Sequence, residues 1–425
     1  MNNALFKNSA TYTGAILFNG LIPFLLIPVL TRYLTVESYG QIAIFQTFYW
    51  AISSFVGITI AGASDRKFFD YAPQQELANF IGACFQVCLF LSMQTFFIIF
   101  IFQNQLADAL ETSPEYIFYA ILVAISLSII QIRLGQWQVR GQAKIFGIFQ
   151  VLQSTLMVIL TMLLIIVFNF DEWGRILSQV LICVIFAMFS IIWLIRDKLL
   201  NFFSWHPQHI VDSLKFSIPL IPHAVGIFLI SMVDRLFIAN EFGIANAGIY
   251  MLAAQLALIF SVVPDAVSKA VQPWLFERLV KDNIKDKQAI VKFTYLWFIV
   301  ILSFAPFLFL MGPSIVTFVA GPEYENAGQV FGWLALGHLF AGMYVMLNCY
   351  IYFSKQTYAL SIVTLISGFF NIILLIFFIK SFGIVGAGIA FSISMLLRLV
   401  LTWIVAQKMH PMPWLSFMKR IPSDT

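Results

Sequence analysis

Two arginines, Arg235 and Arg398, stand inside stretches otherwise too apolar to hold a charge, SMVDRLFIAN and SISMLLRLVLTW. An ionisable group in hydrocarbon costs roughly 3 kcal/mol or more, so such groups usually face a cavity or a partner. A guanidinium offers a rigid fork of donors that matches phosphate oxygens. Capture of an anionic, phosphate-bearing group is therefore the first chemistry these positions suggest. Asp234 precedes Arg235, but helix neighbours point about 100° apart and pair poorly within one helix. Two readings of Arg235 follow. Either it lines a water-filled cavity while Asp234 fixes a neighbouring helix, or both belong to a structural bridge near a membrane interface. Arg398 either lines a cavity or snorkels to the interface about two turns away. His223, in IPLIPHAVG, follows a proline bend that frees backbone carbonyls. It either takes up a proton there or is a packed, hydrogen-bonded histidine.

Other polar groups cluster at the ends of apolar runs. Asp65-Arg66-Lys67 and Asp265 with Lys269 close comparable segments, and Arg133, Arg140 and Lys144 follow another in RLGQWQVRGQAK. A phosphate-bearing substrate would meet these cations first, and the same residues also serve as ordinary topology markers. Arg32, after Pro28, reads as an interfacial anchor, and Asn19 and Gln46 are further polar candidates. Cys84 and Cys88 lie one helical turn apart, a spacing that in hydrocarbon reads as packing rather than metal binding. The sequence has no GxxxxGK[ST] loop, HExxH, dinucleotide fingerprint or Cys/His ligand cluster. ATP hydrolysis, metal chemistry and a bound cofactor are therefore not expected.

The elements that must position these residues follow from composition. The 425 residues are 61% apolar and 10% charged, with mean hydropathy +0.91. About 25% charge is usual for a soluble domain, so a soluble enzyme, a disordered chain and a disulfide-stapled module are excluded. No cleavable signal peptide is expected, because the first apolar run follows Lys7, is too long and lacks a small-residue cleavage site. A crossing helix needs about 20 apolar residues. Segments at 11–31, 40–63, 78–102, 116–135, 146–169, 175–195, 214–239, 247–268, 293–319, 327–351, 357–379 and 383–406 qualify. The tenth is interrupted by Gly332, Gly337, His338, Gly342 and Asn348. Runs of this length are helices rather than barrel strands.

Of the 24 basic residues, all except Arg32, Arg175, Lys380, Arg235 and Arg398 fall at the termini or in even-numbered loops. That asymmetry places both termini in the cytoplasm and explains the basic loops without nucleic acid. The chain also reads as two copies of one unit. PFLLIP (Pro23, Pro28) answers IPLIP (Pro219, Pro222), Tyr39-Gly40 answers Gly248-Ile249-Tyr250, and Trp173-Gly174 answers Phe382-Gly383. The expected fold is thus an all-α polytopic membrane protein. Twelve transmembrane helices form two six-helix lobes, 1–205 and 206–425, related by a pseudo-two-fold axis along the membrane normal.

The stretches 23–45 and 218–257 resemble the polysaccharide-biosynthesis flippases of the multidrug/oligosaccharidyl-lipid/polysaccharide (MOP) exporter superfamily, and O-antigen flippases in particular. The pattern is carried by Pro222, Asp234, Arg235, Ile238, Gly243, Gly248 and Tyr250. The resemblance implies a non-enzymatic flippase of the bacterial inner membrane, moving undecaprenyl-diphosphate-linked oligosaccharide to the periplasmic leaflet by alternating access. It implies that Arg235 and Arg398 contact diphosphate or sugar, that Arg32 guards the outer gate, and that Arg66, Lys67, Arg140 and Lys269 form an inner funnel. His223 or Asp234 would serve any H+ or Na+ coupling, and an O-antigen polymerase and a chain-length regulator are candidate partners. Lipid II flippases of the superfamily carry two further helices, which disfavours that branch. Drug/cation antiporters, the alternative, place a carboxylate in the N-lobe cavity. Here the acidic residues of the first six segments are expected only at segment ends.

Overall fold

The computed structural model describes residues 3–70, 73–354, 356 and 358–414. Lys355, Lys419 and Arg420, used above for orientation, lie outside the described residues, as does the Lys7 side chain. Among the described residues the protein is helical, with no strand. The first part runs α1 (Asn3–Tyr33), α2 (Val36–Val56), α3 (Ile58–Phe68), α4 (Gln74–Ala109), α5 (Pro114–Val139), α6 (Ala143–Met162) and α7 (Asp171–Arg196). It continues as α8 (Pro207–Ser217), α9 (Ile221–Ser231), α10 (Asp234–Phe242), α11 (Ile244–Ala257), α12 (Ile259–Lys281), α13 (Ile284–Ser303), α14 (Ala305–Ala320), α15 (Glu325–Phe353) and α16 (Tyr358–Met409). Local chemistry sets several ends. Thr35 caps α2 by accepting from the Ser38 amide at 3.1 Å, Pro114 opens α5, and Asn283 caps α13 through the Asp286 amide at 2.8 Å, each supplying an acceptor or a φ that a helix start requires.

All twelve expected segments fall on helical chain, with breaks where the sequence supplies a reason. The segment expected at 214–239 is split into α8, a 3₁₀ turn at Ile218–Leu220, α9 and α10, because Pro219 and Pro222 cannot donate to the ladder. Segments eleven and twelve are joined in α16, whose 52 residues span about 78 Å, more than twice the hydrocarbon thickness. At Gly383 the backbone leaves the helix with φ 60° and ψ −145°, a left-handed φ that glycine adopts without penalty. Two spans therefore meet there.

The tenth segment is one unbroken helix, α15, and its glycines are packing notches rather than interruptions. A Cβ at Gly332 would lie 2.7 Å from the Phe309 ring, and one at Gly342 would lie 2.5 Å from Pro264. One at Gly337 would overlap the Phe391 ring. Lipid is as apolar as leucine, so helices in a membrane associate through close packing at small residues.

The chain groups into two compact units, Met1–Phe228 with Arg235–Met251 and Leu229–Asp234 with Leu252–Thr425. In the first, α5 is the central helix, packed against α2, α3, α4 and α7. Cys84 and Cys88 are buried there among Ile60, Ile81 and Ile132, as packing side chains. Gly40 of α2 and Gly248 of α11 also meet, a Cβ on Gly248 falling 2.7 Å from the Gly40 amide nitrogen. These are the residues that the internal repeat pairs. Phe90, Phe97, Ile98 and Ile101 of α4 are exposed, as suits a helix whose solvent is lipid.

Candidate functional site

The first unit encloses a cavity of about 680 Å³ between α2, α3, α5, α6 and α7. On α5, Leu127, Gln131, Leu134, Gly135 and Gln138 recur at helical spacing and present one face to it. Gln131 and Gln138 are exposed, although residues 132–137 between them are all buried. From α2 come Tyr49, Trp50 and Ser53, from α6 Gln150, and from α7 Gln179. The Ser53 hydroxyl and the Gln150 carbonyl oxygen are enclosed without a hydrogen-bond partner. The wall is thus mainly apolar, set with several neutral polar groups, and apart from one group uncharged.

That group is Asp65 on α3. Its carboxylate lies directly over Gly135, where a Cβ would overlap both oxygens. The Ser64 hydroxyl donates to it at 3.4 Å, while Gln136 holds α5 to α3 by donating to the Ser64 carbonyl at 3.0 Å. Among the described residues no cation pairs with Asp65. The expectation that acidic residues of the first six segments sit only at segment ends holds for Asp65 by position, but the inference drawn from it, that no carboxylate lines a cavity there, does not. Asp65 is near the end of α3 in sequence, but the bend between α2 and α3 and the absent side chain of Gly135 bring it onto the cavity wall.

The second unit contains Arg398. It is 8% exposed and donates through Nη2 to the Tyr344 hydroxyl at 2.8 Å and to Thr364 Oγ1 at 3.0 Å. Its guanidinium carbon stands 3.9 Å from the centre of the Tyr344 ring, a cation–π contact. Nε is left without a hydrogen-bond partner. Arg398 therefore points into its helix bundle and does not snorkel, and no carboxylate among the described residues neutralises it.

The remaining expected residues fall in several settings. Asp234 and Arg235 open α10 and are buried, at 2% and 7% exposure. His223 is half-buried in the first turn of α9, just after Pro222, and Arg32 is exposed in the last turn of α1. Arg66 pairs with Asp70 at 2.6 Å, Lys67 with Glu76 at 3.0 Å, and Lys269 with Asp265 at 2.6 Å. Arg140 lies 4.9 Å over the Phe68 ring, which brings it beside the α3 end that carries Arg66 and Lys67. Burial pulls the Arg140 guanidinium below the usual arginine range. Asn19 accepts from Ser154, a bond that ties α1 to α6.

Sequence reasoning missed the four glutamines, although Gln131 and Gln138, seven residues apart in an apolar run, share a helix face and carried the signal. It also placed Arg133 and Arg175 in loops. Arg133 lies within α5, paired with Asp197 and 4.2 Å from the Trp137 ring. Arg175 is in the first turn of α7, with Nη1 3.5 Å from Thr161 Oγ1.

These features define a polytopic helical membrane protein. The sequence matches the Polysaccharide biosynthesis protein family over residues 5–279, more than half its length, and the chain belongs to that family. The protein described as Lsg locus putative protein 1 of Haemophilus influenzae is 25% identical over 356 residues, covering 82% of this chain and 85% of its own. Another Haemophilus influenzae membrane protein is 28% identical over 325 residues, covering 76% and 75%. Among solved structures, the lipid II flippase MurJ in an inward closed conformation aligns with TM-score 0.75 at 15% identity, covering 93% of this chain and 87% of that one. An inward-facing multidrug resistance MATE family transporter of the MOP superfamily aligns with TM-score 0.64 at 17% identity, covering 92% and 94%. At such identities the likeness concerns the fold alone.

Proposed function

We propose that the protein is a flippase for an undecaprenyl-diphosphate-linked oligosaccharide, an O-antigen or similar repeat unit. It carries this lipid from the cytoplasmic to the periplasmic leaflet of a bacterial inner membrane, with both termini cytoplasmic. Lobes 1–205 and 206–425 give alternating access. Arg398 and Arg235 meet the diphosphate, Asp234 anchors a neighbouring helix, and Arg32 guards the outer gate. Arg66, Lys67, Arg140 and Lys269 form the inner funnel. His223 or Asp234 serves H+ or Na+ coupling, and an O-antigen polymerase with its chain-length regulator takes the product.

The observation that carries this reading is Arg398. A buried guanidinium satisfied only by hydroxyls and a ring keeps its full charge in a low-dielectric setting, at considerable cost in desolvation. An arriving diphosphate would supply the missing anion and offer bidentate acceptors. Replacing Arg398 by Ala should abolish surface polysaccharide while the protein remains in the membrane at normal levels. Unchanged polysaccharide would refute the reading.

A second reading, a drug/cation antiporter, is favoured by Asp65, a carboxylate on a largely apolar cavity wall with no cation paired to it among the described residues. The Asp65→Asn variant separates the two. An antiporter loses drug export in this variant, whereas the flippase keeps its polysaccharide.

A further inference from the structure

We propose that the cavity of the first unit is a carbohydrate subsite, holding uncharged sugar rings of the substrate through the amides of Gln131, Gln138, Gln150 and Gln179 with Trp50 as a platform. This rests on the flippase reading and deepens it, because it assigns the sugar part of the lipid-linked substrate to residues other than the arginines.

The chemistry of the wall selects this ligand. A sugar hydroxyl is both donor and acceptor, and a glutamine amide offers two N–H donors and a carbonyl with two lone pairs. Amides therefore satisfy hydroxyls in several orientations without stripping water from an ion. Among the described residues the Gln131, Gln138 and Gln150 side chains have no hydrogen-bond partner, whereas Gln179 is bonded to Tyr49 and Gln136, on the opposite side of α5, is tied to Ser64. Polar groups inside a membrane helix are costly without partners, and this cost points to an occupant rich in hydroxyls. Ser53 borders the cavity, 1% exposed, with its buried hydroxyl unpaired. Trp50 and Tyr49 stack at 5.8 Å between ring centroids with a 30° tilt, a contact that orients the Trp50 ring. Trp50 is 40% exposed and can cover the C–H face of a pyranose. A diphosphate is the wrong occupant, since no cation lines the cavity and Asp65 would repel it. The volume of about 680 Å³ lies in the usual range for small-molecule sites.

The test uses the full chain in proteoliposomes and two lipids, undecaprenyl diphosphate carrying a complete oligosaccharide repeat and the same lipid carrying a single sugar. The Gln131→Leu/Gln138→Leu variant removes two sets of amide contacts, each worth up to about tenfold. It should lose about tenfold or more in flipping rate on the oligosaccharide lipid but less than about threefold on the single-sugar lipid. Trp50→Leu should shift the same ratio in the same direction. Gln131→Asn/Gln138→Asn keeps the amides, shortens their reach and guards against a folding artefact. It should give an intermediate ratio with an unchanged thermal midpoint. An unchanged ratio in these variants while the wild type moves both lipids overturns the carbohydrate subsite alone. If the wild type moves neither lipid, the flippase reading fails and the subsite falls with it.

Discussion

In the first unit, a cavity is lined by Gln131, Gln138 and Gln150, and among the described residues the buried Gln150 carbonyl oxygen and Ser53 hydroxyl have no hydrogen-bond partner. In the second, Arg398 is folded onto Tyr344 and Thr364 and no cavity is needed to keep it. The first arrangement spreads weak, neutral donors and acceptors over four helices. The second concentrates one full charge at a point and holds it with two hydroxyls and a ring face. The difference teaches what each region suits. Dispersed amides tolerate many orientations of a hydroxylated ligand, whereas a single caged guanidinium recognises a compact anion and little else. A third pattern, at Arg66, Lys67 and Lys269, is cations already neutralised by carboxylates. Cations paired in this way have less free charge to offer an anion than an unpaired guanidinium has.

The largest expected effect tests the caged charge. In a liposome flipping assay, Arg398→Ala should lower the rate about 10- to 100-fold, the value of a charged hydrogen bond or two. Arg398→Lys should recover part of it, keeping the charge but not the fork; full recovery would mean that geometry is irrelevant. Next comes the contact that sets Asp65 on the cavity wall. Gly135→Ala should destabilise by about 1–3 kcal/mol through overpacking, read as a lower thermal midpoint. Adding Asp65→Ala should relieve most of that loss, because the two substitutions share one space. Additive losses would show that the carboxylate does not depend on Gly135.

A smaller effect is expected for Tyr344→Phe. It removes one acceptor from Arg398 but keeps the ring, costing about 1–2 kcal/mol in stability and leaving flipping measurable. If Tyr344→Phe were as severe as Arg398→Ala, the hydroxyl rather than the guanidinium would be the working group. The smallest effects belong to Arg66→Ala and Lys269→Ala. Their partners are exposed, so each should change stability by less than about 1 kcal/mol, and any loss of flipping should shrink as salt is raised.

Much of the architecture was legible from the chain alone. Each expected apolar segment is helical because a run of about 20 apolar residues in hydrocarbon has no other way to satisfy its backbone. The breaks at Pro219, Pro222 and Gly383 were likewise written in residue type. The site was less legible. Arg398 was flagged as an intramembrane charge, yet its partners Tyr344 and Thr364 lie 54 and 34 residues away, and no periodicity reveals such a meeting. The glycines of α15 looked like weaknesses because a sequence shows the missing side chain and not the Phe309 ring or Pro264 that fills the space.

The sequence by itself determined which stretches cross a membrane and where charge is tolerated, because burial of backbone and charge in lipid is a local cost paid residue by residue. Only the tertiary structure decided that Gln131, Gln138, Gln150 and Gln179 share one cavity and that Asp65 rests on Gly135. It alone also decided that Arg398 has no carboxylate partner among the described residues. Those outcomes depend on how helix faces are rotated against each other, and in a bilayer that rotation is set by close packing between helices distant in sequence, without a hydrophobic pattern to announce it.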